Sequence, residues 1–126
     1  MTIQVGADLL QVHKLDTLVR LLKNDGFGNF NQIQMASFSK RQSGYSLCTF
    51  DHNKAFLTGG TLKSRGIGLV EKFDVRNNEW EQYPDLNIGR WSHASCELNK
   101  TVYVFGGMDP NFKHTNKIEK LPYEAQ

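Results

Sequence analysis

Hydrophobic positions in this chain gather in short runs, each cut by glycine, asparagine or proline. Residues 101–105, Thr-Val-Tyr-Val-Phe, form a β-branched and aromatic run that stops at Gly106-Gly107. A run that short, apolar at successive positions, predicts a strand covered on both faces. Residues 97–101 before it predict a hairpin whose turn is Asn99-Lys100. An earlier run, Phe56-Leu57-Thr58, also stops at a glycine pair, Gly59-Gly60, and follows a longer turn over residues 51–54. Residues 69–74 predict a third strand, and Arg76-Asn77-Asn78 supplies turn chemistry. Residues 79–83 predict a fourth strand, ended by Pro84-Asp85. The pattern is strand, turn, strand throughout: a four-stranded antiparallel meander in an all-β chain.

The first 25 residues admit two patterns. Leu9, Val12, Leu15, Leu18, Val19 and Leu22 fall on one helical stripe, with Asp8 placed to cap it and Gly26 to stop it. Equally, residues 18–22 read as a strand, followed by a turn at 23–26 and a second strand from Phe30. The first pattern makes residues 1–34 an N-terminal helix, the second a partial sheet. Residues 35–43, with Ser37, Ser39, Lys40, Arg41 and Gln42, read as a polar loop in either case.

The meander repeats. The glycine pairs at 59–60 and 106–107 lie 47 residues apart. Upstream, Tyr45-Ser46-Leu47-Cys48 matches His93-Ala94-Ser95-Cys96 at a spacing of 48. Downstream, Val70-Glu71-Lys72-Phe73 matches Ile118-Glu119-Lys120-Leu121, again at 48. A fainter copy precedes them: Val19-Arg20-Leu21-Leu22 and Phe30-Asn31-Gln32-Ile33 resemble Val70–Phe73 and Trp80–Tyr83, and Lys40-Arg41 falls near the place of Gly89-Arg90. A period of this size marks a stacked repeat architecture. The markers have physical roles. Glycines let backbone pass close at strand ends. Trp80, with Tyr83, offers a large apolar face between stacked sheets. Arg90 offers a fork of donors to carbonyls near the sheet ends.

Composition excludes more than it assigns. The chain has 126 residues, 39% hydrophobic and 22% charged, with a net charge of +2. That fits one globular domain and is too balanced to point to nucleic acid or an acidic membrane surface. No apolar run reaches membrane-spanning length, and the first residues carry no cationic leader. Two cysteines, Cys48 and Cys96, are too few for a disulfide scaffold, so a cytoplasmic setting with reduced thiols is expected. Their matching places predict two small buried core residues. His13, His52, His93 and His114 show no metal-ligand spacing, so neither metal nor cofactor is expected. The glycine-rich stretch 59–68 departs from the phosphate-loop pattern and reads as a long inter-strand loop. Asp109 and Glu119 are not placed together by any spacing, so paired-carboxylate catalysis is not expected. Lys63, Arg65, Lys113 and Lys117 sit in or beside the loops after the glycine pairs. Loops on a rigid scaffold are where binding concentrates. The candidate partner-binding residues are therefore Lys63, Arg65, Arg41, Arg90 and His93, facing an acidic peptide.

In combination these residues resemble the kelch repeat. Its pattern is an apolar strand ending in Gly-Gly, then a strand of the type Val-x-x-Phe-Asp, then a Trp about seven residues on, then an Arg before the next strand. Here those are Gly59-Gly60, Val70 with Phe73-Asp74, Trp80 and Arg90, and the second copy carries Gly106-Gly107. The resemblance implies kelch-type β-propeller blades, two to two and a half of them: residues 1–34 as helix or partial blade, 35–43 as loop, 44–90 as one repeat, and 91–126 as a second, shortened one. A ring of six such blades needs roughly 290 residues, so a piece of a longer propeller, or assembly with other chains, is expected. The implied function is a non-catalytic protein–protein interaction scaffold. Kelch proteins also include ubiquitin-ligase substrate adaptors, cytoskeletal proteins and, less aptly here, enzymes similar to galactose oxidase or sialic acid isomerases.

Overall fold

The computed structural model describes residues 1–12, 18–39, 41 and 43–121. All regular structure among them is β. Strands β1 (Thr2–Val5), β2 (Asp8–Val12), β3 (Val19–Asn24) and β4 (Phe30–Met35) pair antiparallel in chain order as the first sheet. The second sheet holds β5 (Ser46–Phe50), β6 (Lys54–Thr58), β9 (Val70–Asp74) and β10 (Glu79–Tyr83), also a meander. Between its second and third strands, β7 (Thr61–Leu62) and β8 (Arg65–Gly66) form a small hairpin of their own. The third sheet has β11 (Ala94–Leu98), β12 (Thr101–Phe105) and β13 (Ile118–Lys120).

The second sheet lies between the other two, and two apolar seams hold the stack together. Val5, Leu10, Val12, Val19 and Leu21 of the first sheet meet Leu47, Ala55, Leu57 and Phe73 of the second. On the opposite face of the second sheet, Cys48, Phe56 and Val70 meet Val102, Val104 and Leu121. Strand alternation explains the division: Ala55 and Leu57 point one way, Phe56 the other. Trp80 and Tyr83 divide likewise. Trp80 packs at the first seam, against Phe73 at 4.7 Å and Phe38 at 5.6 Å between ring centroids. Tyr83 packs at the second, 5.1 Å from Phe56.

Four expectations change. Residues 8–12 and 19–24 are strands, not a helix, and the first sheet is a complete four-stranded meander rather than half of one. The helical stripe passed over Leu10 and Leu21, which face each other across β2 and β3 and are buried. Leu9 and Leu22, both on the stripe, pair on the opposite, half-exposed face; Leu15 lies outside the described residues. The connection at 35–43, whose Lys40 and Gln42 lie outside the described residues, is not simply polar. Phe38 and Arg41 are buried within it, and Trp80 Nε1 donates to Ala36 O at 2.7 Å. In the next connection Leu86 takes the corresponding place in the second seam. Strand β12 is covered on one face alone: Val102 and Val104 are buried while Phe105 is exposed, because no sheet among the described residues lies beyond the third. Finally, Cys48 is buried as expected but Cys96, on the far side of the third sheet, is exposed.

The predicted hairpin at Asn99-Lys100 is present. Both residues have positive φ, 52° and 63°, the twist that joins strands through a two-residue turn. Its strands pair Leu98 with Thr101.

Candidate protein-interaction site

Two loops that leave second strands share one rim. After β6, Gly59 and Gly60 turn the chain into the β7–β8 hairpin. After β12, Gly106 and Gly107 open the loop to β13. The segment Arg90-Trp91 ties both loops together. Arg90 O accepts from Gly60 N at 2.9 Å, Arg90 N donates to Ile67 O at 3.1 Å, and Trp91 and Met108 exchange backbone hydrogen bonds at 2.9 and 3.1 Å. The glycines are required by this closeness. Gly59 has φ of 62°, and a Cβ there would run into Arg90 O and the His93 ring. One at Gly107 would sit 2.6 Å from Trp91 O.

On this frame Lys63 and Arg65 are exposed at the tip of the β7–β8 hairpin, where Lys63 and Ser64 take positive φ. Lys113 and Lys117 are exposed on the neighbouring loop. That loop is held by Asp109, whose Oδ1 accepts from Asn111 N at 2.9 Å and Lys113 N at 3.0 Å. Asp109 thus caps its own turn and makes no pair with Glu119.

Arg41 and Arg90, both named among the partner-binding candidates, are internal, and Arg90 takes the other role expected of it, donating to carbonyls near the sheet ends. Arg90 is fully buried. It donates to Glu119 Oε2 at 2.7 Å, Lys117 O at 2.7 Å, Gly106 O at 3.3 Å and Ile88 O at 3.4 Å. Arg41 donates to Glu71 Oε1 at 3.0 Å and Leu69 O at 3.1 Å. Burial lowers its pKa, and Glu71 opposes that shift. The two carboxylates also act as caps for the inter-sheet connections. Glu119 accepts from Asn87 N at 2.6 Å and Ile88 N at 3.0 Å; Glu71 accepts from Ser39 N at 3.1 Å. One device therefore appears twice: an arginine from the connection clasps the third-strand glutamate of a neighbouring meander and the backbone two residues before it. Sequence reasoning held two readings of Arg90, donor to carbonyls near the sheet ends and partner contact, and for Arg41 the second of these; the carboxylate acceptors of both were not read. The signal was present in the aligned Val70-Glu71 and Ile118-Glu119 blocks.

His93 is half-buried, with Nε2 2.8 Å from Thr58 Oγ1 and Nδ1 enclosed without a partner. Burial, reinforced by the Arg90 charge, pulls its pKa down to about 4, so the ring is neutral near pH 7. It belongs to the packing under the glycine pairs. Of the five expected partner-binding residues, Lys63 and Arg65 are exposed, His93 is half-buried, and Arg41 and Arg90 are buried.

Burial pushes the Cys48 thiol up to about 11, which leaves it protonated and unreactive. Among the described residues no group of three or more His, Cys, Asp or Glu side chains is arranged to hold a metal ion. His13 lies outside them.

No protein-family model matches the chain. It is 32% identical over 68 residues to a putative F-box/kelch-repeat protein of Arabidopsis thaliana, a match covering 54% of this chain and 23% of that protein. It is 33% identical over 72 residues to Kelch-like protein 6 of Homo sapiens, covering 57% of this chain and 11% of the relative. Against Kelch-like protein 24 of Rattus norvegicus the identity is 33% over 76 residues, covering 60% and 12%. The chain therefore spans less than a quarter of the length of these curated relatives.

Proposed function

Because this chain is a kelch-repeat protein, we propose that it serves as a non-catalytic protein-interaction module that engages an acidic peptide through the Lys63–Arg65 hairpin. The observation that carries this reading is the exposed basic hairpin held on a rim of rigid sheets. Fixed loops on a scaffold bind with little ordering cost, and two adjacent cations favour a partner of opposite charge. Lys113 and Lys117 extend the same basic rim. The internal ionisable groups support a scaffold over a catalyst: Arg41, Glu71, Arg90 and Glu119 are bonded to one another and to backbone.

The test is binding of a fluorescein-labelled hexaglutamate peptide, read by polarisation at low salt. Lys63→Glu with Arg65→Glu should weaken capture by about tenfold or more. Raising the salt should weaken the wild-type complex too. Unchanged affinity after both charge reversals removes the hairpin from the interface.

A second reading, assembly with a further sheet, rests on the outer face of the third sheet. Leu98 is 60% exposed and Ile118 68%. Their repeat counterparts in the second sheet, Phe50 and Val70, pack into the second seam. A sheet of the same repeat, supplied by another chain, fits this face. Sedimentation should then show association that Leu98→Arg with Ile118→Arg abolishes. A monomer at all concentrations counts against it.

A further inference from the structure

The third sheet differs from the other two at one edge. The first and second sheets each hold four strands, and in the second β10 covers the outer edge of β9. Among the described residues nothing pairs with the matching edge of β13. Leu121 N donates to Val102 O at 2.9 Å, so Leu121 and Glu119 turn their backbone groups to β12. Antiparallel alternation then directs the N–H and C=O of Ile118 and Lys120 to the open edge. No backbone hydrogen bond from a described residue reaches them.

The repeat shows what this edge would accept. Ile118 and Lys120 are the counterparts of Val70 and Lys72 at a spacing of 48. In the second sheet those two residues pair with Tyr83 and Glu81 of β10. Lys72 is buried there, with Nζ 3.6 Å from Glu81 Oε2 and 5.6 Å from the centre of the Tyr83 ring. Tyr83 packs on Phe56 at 5.1 Å between centroids, and Val70 is fully buried. In the third sheet the same positions are open. Ile118 is 68% exposed, and Lys120 is exposed with no ion pair to a described residue. Tyr103, the counterpart of Phe56, is half-buried and lies across from Lys120. The other face of this edge is already closed, since Leu86 and Leu121 are buried in the second seam. What remains to be recognised is the backbone of Ile118 and Lys120 and the outer-face side chains of Ile118, Lys120 and Tyr103.

We propose that the β13 edge binds an extended segment of a partner protein as a fourth antiparallel strand, and that this segment carries an acidic residue followed two positions on by an aromatic one. The acid pairs with Lys120, and the aromatic ring covers Ile118 and Tyr103. Both side chains reach the outer face because positions two apart in a strand share a face. Backbone hydrogen bonds supply affinity in such strand addition, and alternate side chains supply selection. Acid–lysine and aromatic–β-branched pairs across strands each strengthen the pairing. A lysine on an open edge deters indiscriminate pairing; here it also selects for an acid. This site is a sheet edge and is independent of the basic hairpin.

The experiment adds to the whole chain a fluorescein-labelled peptide with the sequence of residues 77–84, Asn-Asn-Glu-Trp-Glu-Gln-Tyr-Pro. Polarisation reads affinity, and amide hydrogen exchange reads the edge. The expected result is saturable binding with slowed exchange at the Ile118 and Lys120 amides. Lys120→Glu should weaken binding by about tenfold or more. A peptide with lysine in place of its second glutamate should recover that affinity on the Lys120→Glu chain. Methylating the backbone nitrogens of that glutamate and of the tyrosine, which face the sheet in the β9–β10 register, should abolish binding. Lys63→Glu with Arg65→Glu should leave it unchanged, which separates this site from the basic hairpin. No binding at millimolar peptide overturns the proposal, as does binding that survives Lys120→Glu or the methylated peptide. Protection of the Ile118 and Lys120 amides in the free chain also overturns it, because the edge is then already occupied, by a second copy or by the chain itself.

Discussion

Replacing Arg90 with methionine keeps much of the apolar stem and removes the guanidinium. In the folded chain that group is fully buried and holds Glu119 at 2.7 Å, together with the carbonyls of Lys117 at 2.7 Å and Gly106 at 3.3 Å. Methionine offers none of these donors. The Glu119 carboxylate, 11% exposed, would keep its amide bonds from Asn87 and Ile88 but lose its counter-charge. Removing one partner of a buried pair costs about 3–5 kcal/mol, because the other charge stays buried. Each carbonyl left without a donor adds about 1–3 kcal/mol where water cannot replace it. These contributions overlap, so the expected loss is about 3–5 kcal/mol, a large share of a typical domain's stability. Glu119→Gln should cost less, since the amide oxygen still accepts from backbone. Urea unfolding followed by circular dichroism measures both variants, and a double-mutant cycle isolates their coupling, expected at about 1–3 kcal/mol. A loss below about 1 kcal/mol for Arg90→Met would show that the clasp is worth no more than a surface ion pair, and the reasoning would fail.

Stability should also fall with pH through His93. Its folded pKa is depressed from 6.5 to about 4, so the unfolded chain binds the proton first. Its contribution is fully present above about pH 6.5 and is lost as pH falls towards 4, up to about 3 kcal/mol; urea midpoints that decline identically in His93→Gln would contradict this. Gly106→Ala meets no atom within 4 Å but has φ of 73°, so it should cost about 1–2 kcal/mol in backbone strain. Gly59→Ala should cost more. It collides with Arg90 O, which is anchored by Gly60 N; equal losses in thermal unfolding would sink that distinction. Under native conditions a thiol reagent should modify exposed Cys96 quickly and Cys48, with its raised pKa, only on unfolding. Equal labelling rates would refute the burial of Cys48.

Some of this architecture is legible without coordinates. The glycine pairs, the turn at Asn99-Lys100 and the Val70–Phe73 block each declare themselves within a few residues. They depend on local chemistry: positive φ, two-residue turns and strand alternation. The first sheet was harder to read because Leu9, Val12, Leu18, Val19 and Leu22 suit a helical period as well as a strand period. The buried pairs Leu10–Leu21 and Val12–Val19 settle between them, and such pairs exist only once strands lie side by side. The Val5-Gly6-Ala7-Asp8 turn, with Gly6 at φ of 62°, was the available clue.

The candidate site divides along the same line. Lys63 and Arg65 were placed on an exposed loop by their position after a glycine pair, a local matter. Arg41 looks like a surface cation in one dimension, and Arg90 is legible there as a donor to carbonyls but not as the partner of a carboxylate. Their acceptors, Glu71 and Glu119, lie 30 and 29 residues away along the chain, in the third strands of neighbouring meanders. The sequence by itself therefore determined the main strands and turns of the second and third sheets and their repeat, because each rests on contacts between near neighbours. Tertiary structure alone decided which face of each sheet is covered, why Cys48 is buried while Cys96 is not, and which cations are left to bind. Those outcomes follow from how one sheet stacks on the next, and desolvation and ion pairing act across that distance.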